Sequence, residues 1–99
     1  MPAVAVEEST VATGHLCDVT TTLDTPTQSK VFAGGKLIAC LGDKTIEHDT
    51  GNGISCDPHT ASISGSSSKV FIGGIGVARL GDACDAGTIT SGVGTVIIG

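Results

Sequence analysis

Short apolar runs bounded by glycine recur along the chain, and two of them are almost the same phrase. Ser29-Lys30-Val31-Phe32-Ala33-Gly34-Gly35 returns 39 positions later as Ser68-Lys69-Val70-Phe71-Ile72-Gly73-Gly74, with one residue changed. Six positions after each Gly pair comes a second shared phrase, Leu41-Gly42-Asp43 and then Leu80-Gly81-Asp82. No window carries a sustained apolar stripe at i, i+3 and i+4, so the pattern gives no helix. The segments 30–32, 37–41, 69–72, 77–80 and 95–98 are short, rich in β-branched residues and bounded by Gly, which reads as strands. Gly34-Gly35 and Gly73-Gly74 supply the positive φ that two-residue hairpin turns require. The pattern predicts an all-β fold of short hairpins.

A repeat of this kind decides the architecture before any local detail does. A third, incomplete copy closes the chain, where Gly94-Thr95-Val96-Ile97-Ile98-Gly99 follows the pattern of Val70-Phe71-Ile72-Gly73. The opening Ala3-Val4-Ala5-Val6-Glu7-Glu8 matches Ile38-Ala39-Cys40-Leu41-Gly42-Asp43 and Val77-Ala78-Arg79-Leu80-Gly81-Asp82, which sets Glu7-Glu8 in place of the first Gly-Asp. One domain of three modules follows, spanning residues 1–28, 29–67 and 68–99. Each module sends out a loop, covering residues 8–28, 44–67 and 83–93.

Composition sharpens this picture. A chain of 99 residues with only two aromatics, Phe32 and Phe71, builds a thin core, and domains of this size often draw on a metal, disulfides or a partner for stability. The net charge of −5, with five basic residues, lacks the basic patch of a nucleic-acid binder. No apolar run approaches the roughly 20 residues of a spanning helix, and the N-terminus lacks the charged start and apolar core of a secretory signal. Synthesis in the cytoplasm is expected, with any export by a route that needs no cleaved signal.

The candidate chemistry lies in the loops. The first carries Thr13-Gly14-His15-Leu16-Cys17, the second His48, Cys56 and His59, and the third Cys84; Cys40 alone sits in a strand. His and Cys are the donors that Zn²⁺ takes in a four-ligand tetrahedral shell. Three loops meeting at one end of a pseudo-three-fold body would close such a shell. Surface histidines and buried apolar cysteines are the plainer account of the same residues. Cys17 and Cys56 stand 39 residues apart, the repeat period itself, so a bridge between them is conceivable; a cytosolic origin disfavours it.

The ordered phrases resemble the PAAR-repeat proteins, the spike-tip proteins of contractile injection systems. The resemblance rests on Pro2-Ala3-Val4-Ala5-Val6, Leu37-Ile38-Ala39-Cys40-Leu41-Gly42-Asp43, Gly65-Ser66-Ser67-Ser68-Lys69-Val70-Phe71-Ile72-Gly73-Gly74, Gly76-Val77-Ala78-Arg79-Leu80-Gly81-Asp82, Thr13-Gly14-His15 and Cys56-x-x-His59, and covers essentially the whole chain. Only Ala78-Arg79 keeps the family's Ala-Arg; the other two copies read Ala5-Val6 and Ala39-Cys40. The resemblance implies a small cone with a triangular β base and a loop-built apex holding zinc, or iron, in a His₃Cys setting. Carried over by position, the ligands are His15, His48, His59 and Cys84. Cys84 follows Asp82 by two residues where the family's cysteine usually follows by about four, so Cys17 and Cys56 stand in reserve.

The same resemblance implies a partner. A single chain with three modules can cap one trimeric β-helical spike, of the VgrG or phage central-spike kind. The base would offer Val31, Phe32, Val70, Phe71, Val96, Ile97 and Ile98 to it, covering strand edges that otherwise invite aggregation. The tip would ride outward on a phage tail or a type VI secretion system to pierce the target cell membrane. The alternative is a small zinc-binding adaptor without a piercing role. A closed four-ligand shell leaves no open position for substrate, so no catalytic residues and no enzyme activity are expected. Asp43 and Asp82 read as turn-formers, and Glu7, Glu8, Asp18, Asp24, Asp49, Asp57 and Asp85 as solvated loop charges.

Overall fold

The computed structural model of the chain describes residues 2–51 and 55–99; residues 52–54, inside the second loop, lie outside the described residues. Twelve short strands and no helix occur among them: β1 (Ala3–Val4), β2 (Thr10–Ala12), β3 (Thr20–Thr22), β4 (Phe32–Ala33), β5 (Lys36–Leu37), β6 (His48–Asp49), β7 (Pro58–His59), β8 (Phe71–Ile72), β9 (Ile75–Gly76), β10 (Ala83–Cys84), β11 (Gly87–Ile89) and β12 (Val93–Ile97). The fold is all-β, as the sequence predicts. All three regions read as loops contain strands of their own: β2 and β3 in the first, β6 and β7 in the second, and β10 and β11 in the third.

The repeat becomes a ring. The amide of Ala39 donates to the carbonyl of Ala5 at 3.0 Å, that of Ala78 to Ala39 at 2.9 Å, and that of Ala5 to Ala78 at 3.0 Å. This closed circle of three hydrogen bonds runs through three fully buried alanines. The flanking bridges turn in the same sense: Val6 pairs with Ile38, Cys40 with Val77, and Arg79 with Val4. A small side chain is what lets three backbones approach so closely about one axis. The molecule is elongated, with extents of 40 × 24 × 22 Å; two nearly equal short axes fit a three-fold arrangement.

The ring also corrects the alignment of the opening segment. Ala5, not Val4, stands with Ala39 and Ala78, so every equivalence moves by one residue and Glu8-Ser9 takes the place of Gly42-Asp43 and Gly81-Asp82. The backbone agrees, since Glu8 (φ 68°), Gly42 (φ 90°) and Gly81 (φ 91°) are all left-handed. Ser9 Oγ accepts from the Val6 amide at 3.0 Å, as Asp43 Oδ2 does from Cys40 and Asp82 Oδ2 from Arg79, both at 2.8 Å. Asp43 and Asp82 are therefore turn-formers, and Ser9 does their work in the first module.

On one side of the ring stand three antiparallel pairs. β4–β5 and β8–β9 are hairpins closed by Gly34-Gly35 and Gly73-Gly74, with φ of 58° and 80° in one and 60° and 81° in the other. Two consecutive left-handed residues are the conformation that a side chain would strain. The third pair is β12 with β1, formed by the two ends of the chain, with Ala3 opposite Ile97. Beneath these pairs lies a core of Val4, Val6, Ala33, Ile38, Cys40, Val77 and Ile98.

On the other side of the ring a second core holds Ala5, Val11, Leu23, Ala39, Ile63, Ala78, Cys84 and Ile89. It too is cyclic: Leu23 bridges to Thr45, Ile63 to Cys84, and Ile89 pairs with Val11. Beyond this layer the three modules diverge into loops of different length, and there the histidines gather.

Candidate metal centre

Each donor is delivered by a different piece of chain. His15 follows β2, His48 lies in β6, His59 lies opposite it in β7, and Asp85 opens the turn between β10 and β11. His15 is fixed through Thr13, which is fully buried. Thr13 Oγ1 accepts from the His15 amide at 3.1 Å and bonds the carbonyls of Asp18 and Val19, while the Thr13 carbonyl accepts from the Ala86 amide at 3.0 Å. Gly14 (φ 80°) completes this approach, because a Cβ there would lie 2.6 Å from the Ala86 carbonyl oxygen. Thr13-Gly14 thus seats the first loop directly on the turn that carries Asp85.

The four side chains converge. His15 Nε2 lies 2.8 Å from Asp85 Oδ1, and Asp85 Oδ2 is 2.7 Å from His48 Nε2 and 3.1 Å from His59 Nε2. The Nε2 atoms of His48 and His59 are 2.8 Å apart. All four donor atoms fall within 4.8 Å of one another, close to the span of one coordination shell. Burial pushes the Asp85 carboxyl up, but the imidazoles of His48, His59 and His15 outweigh it and hold the group below the ordinary carboxylate value.

The tautomer of His48 bears on what belongs between these atoms. Its Nδ1 lies 2.9 Å from the Ile46 carbonyl oxygen, an acceptor only, so Nδ1 carries the proton. In the neutral ring Nε2 then has a bare lone pair, facing a carboxylate oxygen at 2.7 Å and another imidazole nitrogen at 2.8 Å. That contact is repulsive unless a proton or a metal cation lies in it. The Ile46 carbonyl is also the kind of outer partner that orients a ligating histidine. Three imidazole nitrogens and one carboxylate form a donor set suited to a divalent transition ion. The group could hold a metal ion.

Three of the four ligands implied by resemblance are therefore together, and the fourth is not among them. Cys84 is fully buried in the core on the apex side of the ring. Its bridge to Ile63 repeats that of Thr45 to Leu23 and the pairing of Val11 with Ile89, so its side chain occupies the third place in an inward layer of Val11, Thr45 and Cys84. Burial, and after it the neighbouring Asp85 carboxylate, pushes the Cys84 thiol up to about 11. The next residue in the chain, Asp85, stands with the histidines instead and is not a solvated loop charge. Its backbone is left-handed at φ 59°, a conformation Asp tolerates better than most residues.

Neither reserve cysteine fills the fourth place. Cys17 and Cys56 are joined as a disulfide, with Cα atoms 5.9 Å apart. The bridge ties the loop of His15 to the strand of His59. The remaining cysteines, Cys40 and Cys84, are buried and free. The signal that finds Asp85 in the sequence is its position, three residues beyond Asp82 in the short third loop. The signal for the disulfide is the 39-residue spacing.

The base residues are distributed more nearly as expected. Phe32, Phe71 and Ile97 hold equivalent places in the three strand pairs and are 57%, 54% and 49% exposed. Val31 and Val70 are exposed and Val96 is half-buried beside them. Ile98 differs: it lies in the core beneath the pairs, its amide bonded to the Pro2 carbonyl, and is not available to a partner.

The all-β body has three-fold pseudo-symmetry, with exposed apolar side chains on its strand pairs and a cluster of polar donors among its loops. The PAAR motif family model matches residues 13–89, and the chain belongs to that family. The family is one of structural tip modules, not of enzymes. No curated protein sequence matches the chain.

Proposed function

We propose that the protein is the tip of a contractile injection machine, a phage tail or a type VI secretion system. In this reading it caps a trimeric β-helical spike as a monomer and sharpens it for passage through the target cell envelope. One observation carries the reading. Phe32, Phe71 and Ile97, related by the ring, stand exposed at the end opposite the His/Asp cluster. A chain with three equivalent apolar contacts complements a partner built of three identical chains about a three-fold axis.

The apex serves the same role by another means. A narrow end has too little volume for an apolar core, and a cation held by His15, His48, His59 and Asp85 replaces one by crosslinking four chain segments. Zinc is the metal we assign, with iron the competitor for the same donors. The chain's own residues bind and orient: Thr13 holds His15, the Ile46 carbonyl holds His48, and pairing of β6 with β7 sets His48 opposite His59.

The test is reconstitution with a trimeric β-helical spike protein from a contractile system, followed by native mass measurement. A complex of one chain per trimer, lost in Phe32→Asp/Phe71→Asp while the fold and metal content persist, supports the reading. Metal-loaded protein that binds no such spike sinks it and leaves a zinc-binding adaptor.

A further inference from the structure

The apex carries two crosslinks, and they share the same loops. Cys17 is two residues beyond His15, and Cys56 is three residues before His59. The disulfide therefore spans the two segments that the metal centre also joins, and it does so from the exposed side, since Cys56 is exposed and Cys17 half-buried. Among the described residues, three hydrogen bonds are the other polar ties between these segments. The Leu16 amide donates to the Gly51 carbonyl at 3.1 Å, the Asp18 amide to the Asp49 carbonyl at 3.2 Å, and the Asp49 amide to Asp18 Oδ2 at 2.7 Å. Apolar packing adds little, because Leu16 and Val19 are 68% and 61% exposed.

From this arrangement we infer that the Cys17–Cys56 disulfide is a redox-controlled lock on the metal centre, so that oxidation of the pair tightens the hold on the ion. The inference rests on the reading of His15, His48, His59 and Asp85 as a metal centre. The physical reason is ordering. With the bridge in place, His15 and His59 are already held near each other before the ion arrives. With the bridge open, the loops stay joined lower down, where Leu23 bridges to Thr45 and the Ile46 amide donates to the Thr22 carbonyl. The ion itself must then order their Cys17 and Cys56 ends, and its affinity falls by the cost of that ordering.

The donor set makes the device workable. The ligand cluster has no thiolate, so an oxidant that closes the bridge leaves all four metal donors intact. The two remaining thiols, Cys40 and Cys84, are buried and take no part. Closure proceeds by thiol–disulfide exchange with a low-molecular-weight disulfide as oxidant. One cysteine thiolate attacks it and releases a thiol, and the other then attacks the mixed disulfide. The Sγ–Sγ bond forms, a second thiol leaves, and the protein loses the two electrons the oxidant gains. A reducing cytosol would keep the pair open, and passage into an oxidising compartment would close it.

Coupling between two sites is reciprocal, which gives the experiment two independent readings. The first is Zn²⁺ affinity by competition with a chromophoric chelator, for the oxidised protein beside Cys17→Ser/Cys56→Ser. The oxidised protein is expected to bind at least about tenfold more tightly, within the usual range of coupling. The second is the midpoint potential of the disulfide in the unaltered protein, titrated in glutathione buffers with and without Zn²⁺. A tenfold coupling lowers it by about 30 mV when Zn²⁺ is present. This reading stands even if the serine variant fails to fold. Equal affinities overturn the coupling, as does a midpoint that Zn²⁺ leaves unchanged or raises. Oxidised protein that takes up no Zn²⁺ at all removes the metal centre and the lock with it, a result distinct from tight but uncoupled binding.

Discussion

The two ends of this molecule are held together by opposite means. At the base, three strand pairs of the same kind pack Val4, Ile38 and Val77 against one another, and each module contributes an equivalent share. At the apex the modules contribute unequally: two histidines come from the second loop, one from the first, an aspartate from the third, and a disulfide joins only the first two. Symmetry persists wherever burial of apolar surface does the stabilising, because a repeated strand can bury its side chain about an axis without change. It disappears at the His/Asp cluster, which could hold a single ion. A four-ligand shell cannot be supplied evenly by three modules, so one must give two donors.

The largest effect on stability is expected at the apex. His48→Ala removes the most buried imidazole of the cluster and leaves the Asp85 carboxylate with fewer partners. Removing one member of a buried charged group typically costs about 3–5 kcal/mol. In a domain of this size that is a fall in Tm of at least about 12 °C, with loss of bound metal by elemental analysis. Removal of the ion by chelator from unaltered protein is expected to lower Tm in the same direction. A melting curve indifferent to chelator would show that the apex is held by other contacts.

An intermediate effect is expected at the ring that joins the two ends. Ala39→Leu inserts a large side chain where three backbones meet at hydrogen-bond distance. Overpacking of this kind costs about 1–3 kcal/mol. Because every module meets at the ring, a drop in stability with metal content unchanged would mark it as the element that serves both ends. No change in the denaturation midpoint would contradict the close packing described here.

A smaller effect separates ligand from core at adjacent positions. Cys84→Ala is expected to lower stability by about 1 kcal/mol, through lost packing, and to leave metal stoichiometry intact. Asp85→Ala is expected to weaken metal binding by tenfold or more, in line with loss of an inner ligand or its support. Equal metal loss in the two variants would return Cys84 to the shell.

The smallest effect on stability belongs to the exposed base. Phe32→Ser should change the unfolding free energy by less than about 0.5 kcal/mol, since the ring is already more than half exposed. Its effect on spike binding is expected to be large, so this substitution separates what the base does for the fold from what it does for a partner.

Much of the base was legible in the residues because its rules are local. Gly34-Gly35 and Gly73-Gly74 demand their turn, the repeated Val-Phe phrases demand the strands before them, and the 39-residue period demands equivalence. The Gly-Asp turns were legible for the same reason. The convergence of His15, His48 and His59 was readable from their position in loops of a repeated body. The third strand pair was only half readable, since its members lie at opposite ends of the chain and no turn announces that β12 meets β1.

What the sequence determined by itself was the all-β class, the modular repeat, the hairpin turns and the histidines as a set. What only the tertiary structure decided turns on single-residue register. Glu8 rather than Glu7 takes the left-handed place, Ile98 turns into the core while Ile97 faces out, and Asp85 rather than Cys84 joins the histidines. Neighbouring residues in an extended chain face opposite ways, so which of two adjacent side chains reaches a site depends on the strands beside it. The union of Cys17 with Cys56 belongs to the same category. Their spacing permits the bridge, but only the packing of the first loop against the second brings the two Cα atoms to 5.9 Å.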